Sequence, residues 1–491
     1  MSSSSSTNDN LCSAVKYDLT KSICTNLDAH LVLPLLEFVS TLKDDNDNDN
    51  DNDDTNLAYN PADVNKAKFD IVSTCSNMVD YALEIYDLTA EADPEAASRT
   101  KAALNKQKDE VMTTLNHLTA KAKPFTDLLS NAGVRERMSA SHTWNPKGLA
   151  AVGVTEDVLE SYRTLSRFQY DCGDYETSLR MIEEYIRVHA GKQEEGSKPH
   201  PCYGLTTVTS VLHTALWGKL ACLILMGHWD SCPSALSAVK HGLESLASLP
   251  SSHPEHMSPL RALQERTWLL HWSLFVHWNS GSPGLTAITD LFFDPPYMQA
   301  IQTNAPWLLR YLTAAVVCGR KKRMMGHLVS ACRDAATPSA DPILSFVTNL
   351  YGSLSFSAAQ DLLPSVEAAL RNDFFLHNQS STFMNEARVR VFETYCRIHS
   401  NASVPALARQ LAMDDAAAER WLADVILTAR IDAKIDAEKN TFKMAQQTRN
   451  VYQNAIDRTK DLNARAGQAA ERIRNVIAEV GRERRRREER E

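Results

Sequence analysis

Glycine and proline are scarce, 17 and 19 among 491 residues, where average chains hold roughly 12 per cent of the two together. So few chain breakers over that length disfavour a loop-rich β-sandwich and favour long helices. Long apolar runs are missing too. The longest, Leu212 to Met226, contains Lys219 and falls short of the ~20 residues a membrane span requires. The ten cysteines (Cys12, Cys24, Cys75, Cys172, Cys202, Cys222, Cys232, Cys318, Cys332 and Cys396) form no CxxC pair. That predicts reduced, mostly buried thiols of a cytosolic protein. The opening MSSSSSTNDN has neither a basic nor an apolar region, so no secretory leader is expected, and the glycosylation-like triplets at Asn378 and Asn401 carry no meaning. A one-sided basic charge is absent as well; the net charge of −9 argues against wholesale coating of nucleic acid.

Catalytic patterns are equally absent. The chain has no GxxxxGK, GxGxxG, HExxH or GxSxG. His253-Pro-Glu-His256 lacks further ligands at zinc spacing, and Cys222, His228 and Cys232 read as packing groups at a helix turn. No catalytic, metal or cofactor residue is assigned, and an enzyme is not expected.

What is present is a long, largely helical text. The length suits about three domains or one repeat array, and 43% apolar with 23% charged residues describes a folded chain. Residues 1–16 are polar and expected to be disordered. Leu27, Leu31, Leu35, Phe38 and Leu42 make Tyr17 to Leu42 read as a helix. Asp44–Asp54 contains only Asp and Asn, lacks the Gly and terminal Glu of a calcium loop, and predicts an acidic disordered insertion over 43–66. Val72, Met78, Tyr81, Ala82, Ile85 and Leu88 form one stripe, and Leu104, Val111, Leu115, Leu118 and Phe125 mark a helix over Lys101–Leu129. Two hairpins follow. One turns at Cys172-Gly-Asp-Tyr175 within Val158–Val188; the other turns at Gly227-His-Trp-Asp230, between Thr214–Met226 and Ala235–Leu249. In the first, Gly173 serves as C-cap and Asp174 as the next N-cap. Repetition of this chemistry resembles tetratricopeptide-type repeats, with a polar loop at 191–204 between the two.

Trp268, Trp272 and Phe275 fall on one face of Glu265–Trp278 and read as core, with His271 and His277 as core or surface histidines. Further helices are expected over Ala305–Cys318, Ile343–Leu350, Ser357–Asn372 and Met384–His399. Arg320-Lys321-Lys322-Arg323 is the sharpest basic cluster of the body. It reads as a solvated helix end, with RNA contact or nuclear import as alternatives.

The C-terminal quarter changes character. A short helix at Ser403–Leu411 places Leu407 and Leu411 inward. A turn at Met413-Asp-Asp415 leads to a helix at Ala416–Arg430 with Trp421, Val425 and Ile426 on one side. Ile431–Ile435 and Thr441–Met444 then alternate as a two-stranded wing. This is a winged helix with Ile435 in its core. Residues 401–445 carry six Lys/Arg against seven Asp/Glu, so the module suits protein docking better than duplex reading. Tyr452, Ala455, Thr459, Leu462, Ala466, Ala469, Ile473, Val476 and Val480 then step by three and four, an a/d seam built for a partner helix. The last ten residues mix six Arg with four Glu; they read as a solvated tail, with ribosomal or RNA contact as the alternative.

Six colinear blocks resemble the family of the E subunit of eukaryotic translation initiation factor 3. They are Tyr17-Asp-Leu-Thr20 with His30-Leu-Val-Leu-Pro-Leu-Leu-Glu-Phe38; Phe168-Gln-Tyr-Asp-Cys-Gly173; Trp217-Gly-Lys-Leu220; Arg266-Thr-Trp-Leu-Leu-His-Trp-Ser-Leu-Phe275; Asn372-Asp-Phe-Phe-Leu376; and Ala429-Arg-Ile-Asp-Ala-Lys-Ile-Asp436. The resemblance implies an all-α chain: a helical-repeat (TPR-like) solenoid over 17–275, a PCI domain over 276–446 with its winged helix at 401–446, and a C-terminal bundle helix with charged tail at 447–491. It implies a scaffold without cofactor, small-molecule substrate or membrane. Its partners would be the other PCI and MPN subunits of initiation factor 3 and the small (40S) ribosomal subunit, with mRNA or rRNA reached through the complex, in the cytoplasm with a minor nuclear pool. A PCI subunit of the proteasome lid or the COP9 signalosome, and an RNA-binding regulator using the wing or Arg320–Arg323, are the alternatives.

Overall fold

The structure, a computed structural model, describes residues 17–42, 58–89, 94–131, 133, 138, 144–190, 209–334, 341–398, 401–403, 420, 423, 433–436 and 441–444, and most of 455–474. The serine-rich start, the Asp/Asn run and the 191–204 loop lie outside the described residues. The chain divides into two compact units, 1–391 and 392–491.

The first unit opens with two helices where one was expected, α1 (Thr20–Cys24) and α2 (Ala29–Val39). Asp28 makes the break. It adopts an extended conformation and accepts a hydrogen bond from His30 N at 3.0 Å, the geometry of an N-cap. Residues 58–66, expected to be part of the disordered insertion, are folded. Tyr59 is buried and donates to Asp18 Oδ2 at 2.9 Å, Asn60 caps α3 (Pro61–Cys75), and Val64 is buried. Tyr59 and Val64 supply the apolar side chains that the Asp/Asn run lacks.

The expected stripe from Val72 to Leu88 is split between α3 and α4 (Val79–Thr89) by an extended Ser76. Val72, Ala82 and Ile85 do share a core with Leu33 and Leu104, but Leu88 is 69% exposed. Helix α5 (Pro94–Ser130) extends the predicted Lys101–Leu129 helix, and α6 (Pro146–Ala151) is short.

Both predicted hairpins are present. Helices α7 (Glu156–Asp171) and α8 (Tyr175–Ala190) turn at Gly173, whose φ of +89° suits glycine, while Asp174 accepts from Thr177 N. Ser166 and Ser178, both buried, exchange hydroxyl–carbonyl hydrogen bonds across the pair. Helices α9 (Ser210–Leu225) and α10 (Cys232–Ala247) turn at Gly227, φ +69°. Each packs on the next, and α10 packs on α11 (Pro259–Asn279), as repeats in a solenoid do.

Beyond α11 the sequence reading is coarser than the structure. Helices α12 (Ser282–Phe292) and α13 (Pro295–Asn304) were not anticipated. The expected Ala305–Cys318 helix begins with a 3₁₀ turn and continues as α14 (Leu309–Cys318); α15 (Met325–Asp334) follows. Ile343–Leu350 is α16 (Pro342–Val347) running into a π-helical turn. Ser357–Asn372 is two helices, α17 (Phe356–Asp361) and α18 (Leu363–Arg371), because Pro364 lacks the N–H that would continue the ladder. Helix α19 (Ser380–Ile398) carries the chain to the second unit.

One buried cation ties the ends of the first unit together. Arg310, 2% exposed, donates from Nε to Asp341 Oδ2 (2.6 Å), from Nη1 to Asp373 Oδ2 (3.2 Å) and from Nη2 to Tyr17 O (2.9 Å). Tyr311 OH also donates to Asp373, whose other oxygen accepts from Phe375 N and Leu376 N. Burial opposes the guanidinium charge, but the two carboxylates outweigh it and raise the Arg310 pKa. Phe38, Phe275, Phe374 and Phe375 stack edge-on beside this network.

Removing the cation strands the buried Asp373 and the largely covered Asp341. Arg310→Met should cost ~3–5 kcal/mol and speed amide exchange over residues 17–42; urea unfolding and hydrogen-exchange mass spectrometry measure both. A second prediction concerns pH. Burial pushes His271 and His277 down to about 4, against ~6.5 unfolded. Above pH ~6.5 both states are neutral, and between ~6.5 and ~4 the unfolded chain binds more protons. Stability should therefore fall on acidification across that interval, by up to ~1.4 kcal/mol per pH unit for each histidine, and His271→Gln should flatten the slope.

Candidate protein-docking surfaces

The second unit contains a three-stranded antiparallel sheet in the order β1-β3-β2, made of β1 (Asn401–Ser403), β2 (Ala433–Asp436) and β3 (Thr441–Met444). Strands β2 and β3 are the predicted wing, with Ile435 in register with Phe442 and Asp436 with Thr441. Strand β1 was missed. Ser403, expected to open a helix, pairs instead with Thr441, and Ala402 with Phe442. Three residues give too little alternation to read as a strand. Leu407, Leu411, Trp421, Val425 and Ile426, the expected winged-helix core, lie outside the described residues. Among the described residues β1 and β2 each present one unpaired backbone edge, a ready template for another strand.

Most of 455–474 is helical, and the described positions of the predicted seam (Ala455, Leu462, Ala466, Ala469 and Ile473) are exposed. Leu462 is 64% and Ile473 60% accessible, with Ile456 beside them at 46%. Thr459 turns its hydroxyl back to Ala455 O. A Cβ added at Gly467 would meet nothing within 4 Å, so no close approach demands glycine there, and it weakens the isolated helix by ~1 kcal/mol. Tyr452, Val476 and Val480 lie outside the described residues.

The basic cluster is partly engaged within the body. Arg320, at φ +54°, donates from Nε to Glu386 Oε1 at 2.8 Å. Lys321 reaches Thr286 O at 3.4 Å and Asp290 at 3.6 Å. Lys322 and Arg323 are exposed.

Polar clusters that drew attention in the sequence have ordinary structural work. Glu255 accepts from Ser210 N at 2.8 Å, capping α9; His253 Nδ1 accepts from Glu255 N, and His256 Nδ1 lies 2.8 Å from Leu249 O. Cys222 and Cys232 are buried, which pushes both thiols up to about 11.

The aromatic helix α11 corrects one expectation. Trp272 and Phe275 are buried, but Trp268 is 37% exposed. It borders a cavity of about 550 Å³ enclosed by the turn at Thr25–Asp28 and by α7, α8, α9 and α11. Trp217 and Trp272 meet edge to face at 4.9 Å on its wall. Arg163, Arg167, Arg261, His213 and Glu265 also line it. Arg261 with Glu265, and His213 with Trp217, stand one helical turn apart on single helices; the helices themselves converge from distant segments.

Two family models match this chain, eIF3 subunit 6 N terminal domain over residues 18–169 and PCI domain over 348–446. The chain is 32% identical over 457 residues to the E subunit of eukaryotic translation initiation factor 3 from Aspergillus niger, covering 91% of each. It is 32% identical to that of Aspergillus terreus, covering 91% of this chain and 92% of the relative, and 31% identical to that of Sclerotinia sclerotiorum, covering 91% of each. Such similarity along nearly the whole length, over a helical body that closes with a wing, shows that the chain belongs to the family of E subunits of eukaryotic translation initiation factor 3.

Proposed function

We propose that the chain is a non-catalytic scaffold subunit of the eukaryotic translation initiation factor 3 complex. In this reading residues 17–275 form the helical-repeat body, 276–446 the PCI module and 447–491 a helix that enters a multi-helix bundle. The wing would pair edge to edge with a neighbouring PCI subunit. The seam at 452–480 would pack against helices of PCI and MPN subunits, and the assembly would act in the cytoplasm on the 40S particle, supporting mRNA recruitment. No helix among the described residues is long and apolar enough to cross a membrane.

One observation carries the proposal: Leu462 and Ile473 stand exposed at seam positions of one helix. Burying such a side chain is worth ~1.5–3 kcal/mol, which this helix does not gain alone. Direct RNA contact through the basic cluster is the weaker reading, because Arg320 and Lys321 face carboxylates of the body.

Truncation after Met444, or Leu462→Asp with Ile473→Asp, should leave the unfolding of the helical body unchanged and release it from the complex. Affinity purification with quantitative mass spectrometry of the co-purifying subunits reads this directly. Full occupancy of the truncated chain would refute the bundle role.

A further inference from the structure

The seam of the terminal helix is flanked by two rows of unlike chemistry. The residues just before Thr459, Ala466 and Ile473 are Arg458, Arg465 and Arg472. Those just after Ala455, Leu462 and Ala469 are Ile456, Asn463 and Ala470. In heptad terms these are the g and e positions, whose charges set the partner of a coiled coil and its direction. All six side chains are exposed, Ile456 at 46%. One flank is therefore an arginine row repeating every seven residues, or ~10.5 Å along the axis. The other flank carries no charge.

The rest of the helix does not share this bias. Its outer positions mix Lys460 and Arg474 with Asp457, Asp461 and Glu471. By spacing, Asp461 can serve either Arg458 or Arg465, but pairs within one exposed helix are weak. Arg472 has no carboxylate three or four residues away in the sequence. The row as a whole needs acceptors from elsewhere.

A second copy of this chain supplies them badly. In a parallel pair each arginine would lie against the uncharged flank of the other copy, and in an antiparallel pair arginine would meet arginine. RNA also fits badly. Phosphates could take the arginines, but Leu462 and Ile473, 64% and 60% accessible, would stay in water. An amphipathic helix covers both side chains while it meets the row. Thr459 does not obstruct such packing, since its hydroxyl already donates to Ala455 O at 2.7 Å.

We propose that the helix over 455–474 pairs with an amphipathic helix of another protein that carries Asp or Glu at every seventh position, aligned with Arg458, Arg465 and Arg472. The inference rests on the bundle role above and adds the partner's charge and register. A guanidinium holds a carboxylate through two parallel N–H donors, so a one-turn slip of the partner, ~5.4 Å, misaligns all three pairs together. The apolar seam supplies attraction to many helices; the arginine row selects among them.

The test uses the full-length chain in the assembled complex. Arg458→Glu, Arg465→Glu and Arg472→Glu combined should weaken retention of the co-purifying subunits at least ~10-fold, whereas Arg→Lys at the same three positions should keep it. In the lysine variant a zero-length carbodiimide, which joins amines to carboxylates, should link positions 458, 465 and 472 to acidic residues seven apart on one partner peptide, read by mass spectrometry. If the Arg→Glu chain stays fully bound while Leu462→Asp with Ile473→Asp is released, the bundle role stands and this inference falls. If both chains stay bound, both fall. Cross-links that join two copies of this chain, cross-links to carboxylates without the seven-residue repeat, or release of the chain by ribonuclease also overturn it.

Discussion

The body of this molecule depends on one guanidinium held in the dry. Arg310 can be buried only because two carboxylates and a backbone carbonyl meet it at once, and those carboxylates tolerate burial only because it is there. The three acceptors come from the amino-terminal segment, the cap of α16 and the Asn372–Leu376 block. Together they turn an open stack of helices into a unit whose first residues are fixed against its last repeats. Phe375 packs edge-on against Tyr311 beside the site, and the low local dielectric of such a buried setting strengthens each of those contacts.

The regions that sequence described well are those where local rules decide. Gly173 and Gly227 sit at left-handed turns that a side chain rarely adopts, and Asp174 caps the helix after the first of them. The wing shows through because alternation with period two survives in four-residue strands. Helices α12, α13 and α15 stayed hidden because each is only ten or eleven residues long, too short for its periodicity to stand out, and α12 and α13 carry prolines in their first turns. From Leu269 to Trp278 every residue of α11 is buried, so periodicity carries no information about which face is inward. Trp268 lies one residue before that stretch and therefore passed for core. The cavity could not be read at all, since its walls come from segments between Thr25 and Trp272 that meet only through the fold.

Several polar groups of the interior are met within the chain. Inside, Ser166 and Ser178 bond each other, His271 accounts for both its nitrogens, and Arg310 is surrounded. On the outside, among the described residues, two strand edges and the leucine and isoleucine of the terminal helix stand without partners. A protein whose work is assembly is expected to keep its unmet contacts at the surface, where another molecule completes them.

The anchoring of Tyr17 also sets a timetable. Its carbonyl and the guanidinium that receives it are 293 residues apart in the chain. At ~5–20 residues added per second, ~15–60 s of synthesis separate the two. The earliest helices thus leave the ribosome long before Arg310 and Phe374, which meet Tyr17 and Phe38, have been made. In such a chain the contact between Tyr17 and Arg310 is among the last that synthesis allows.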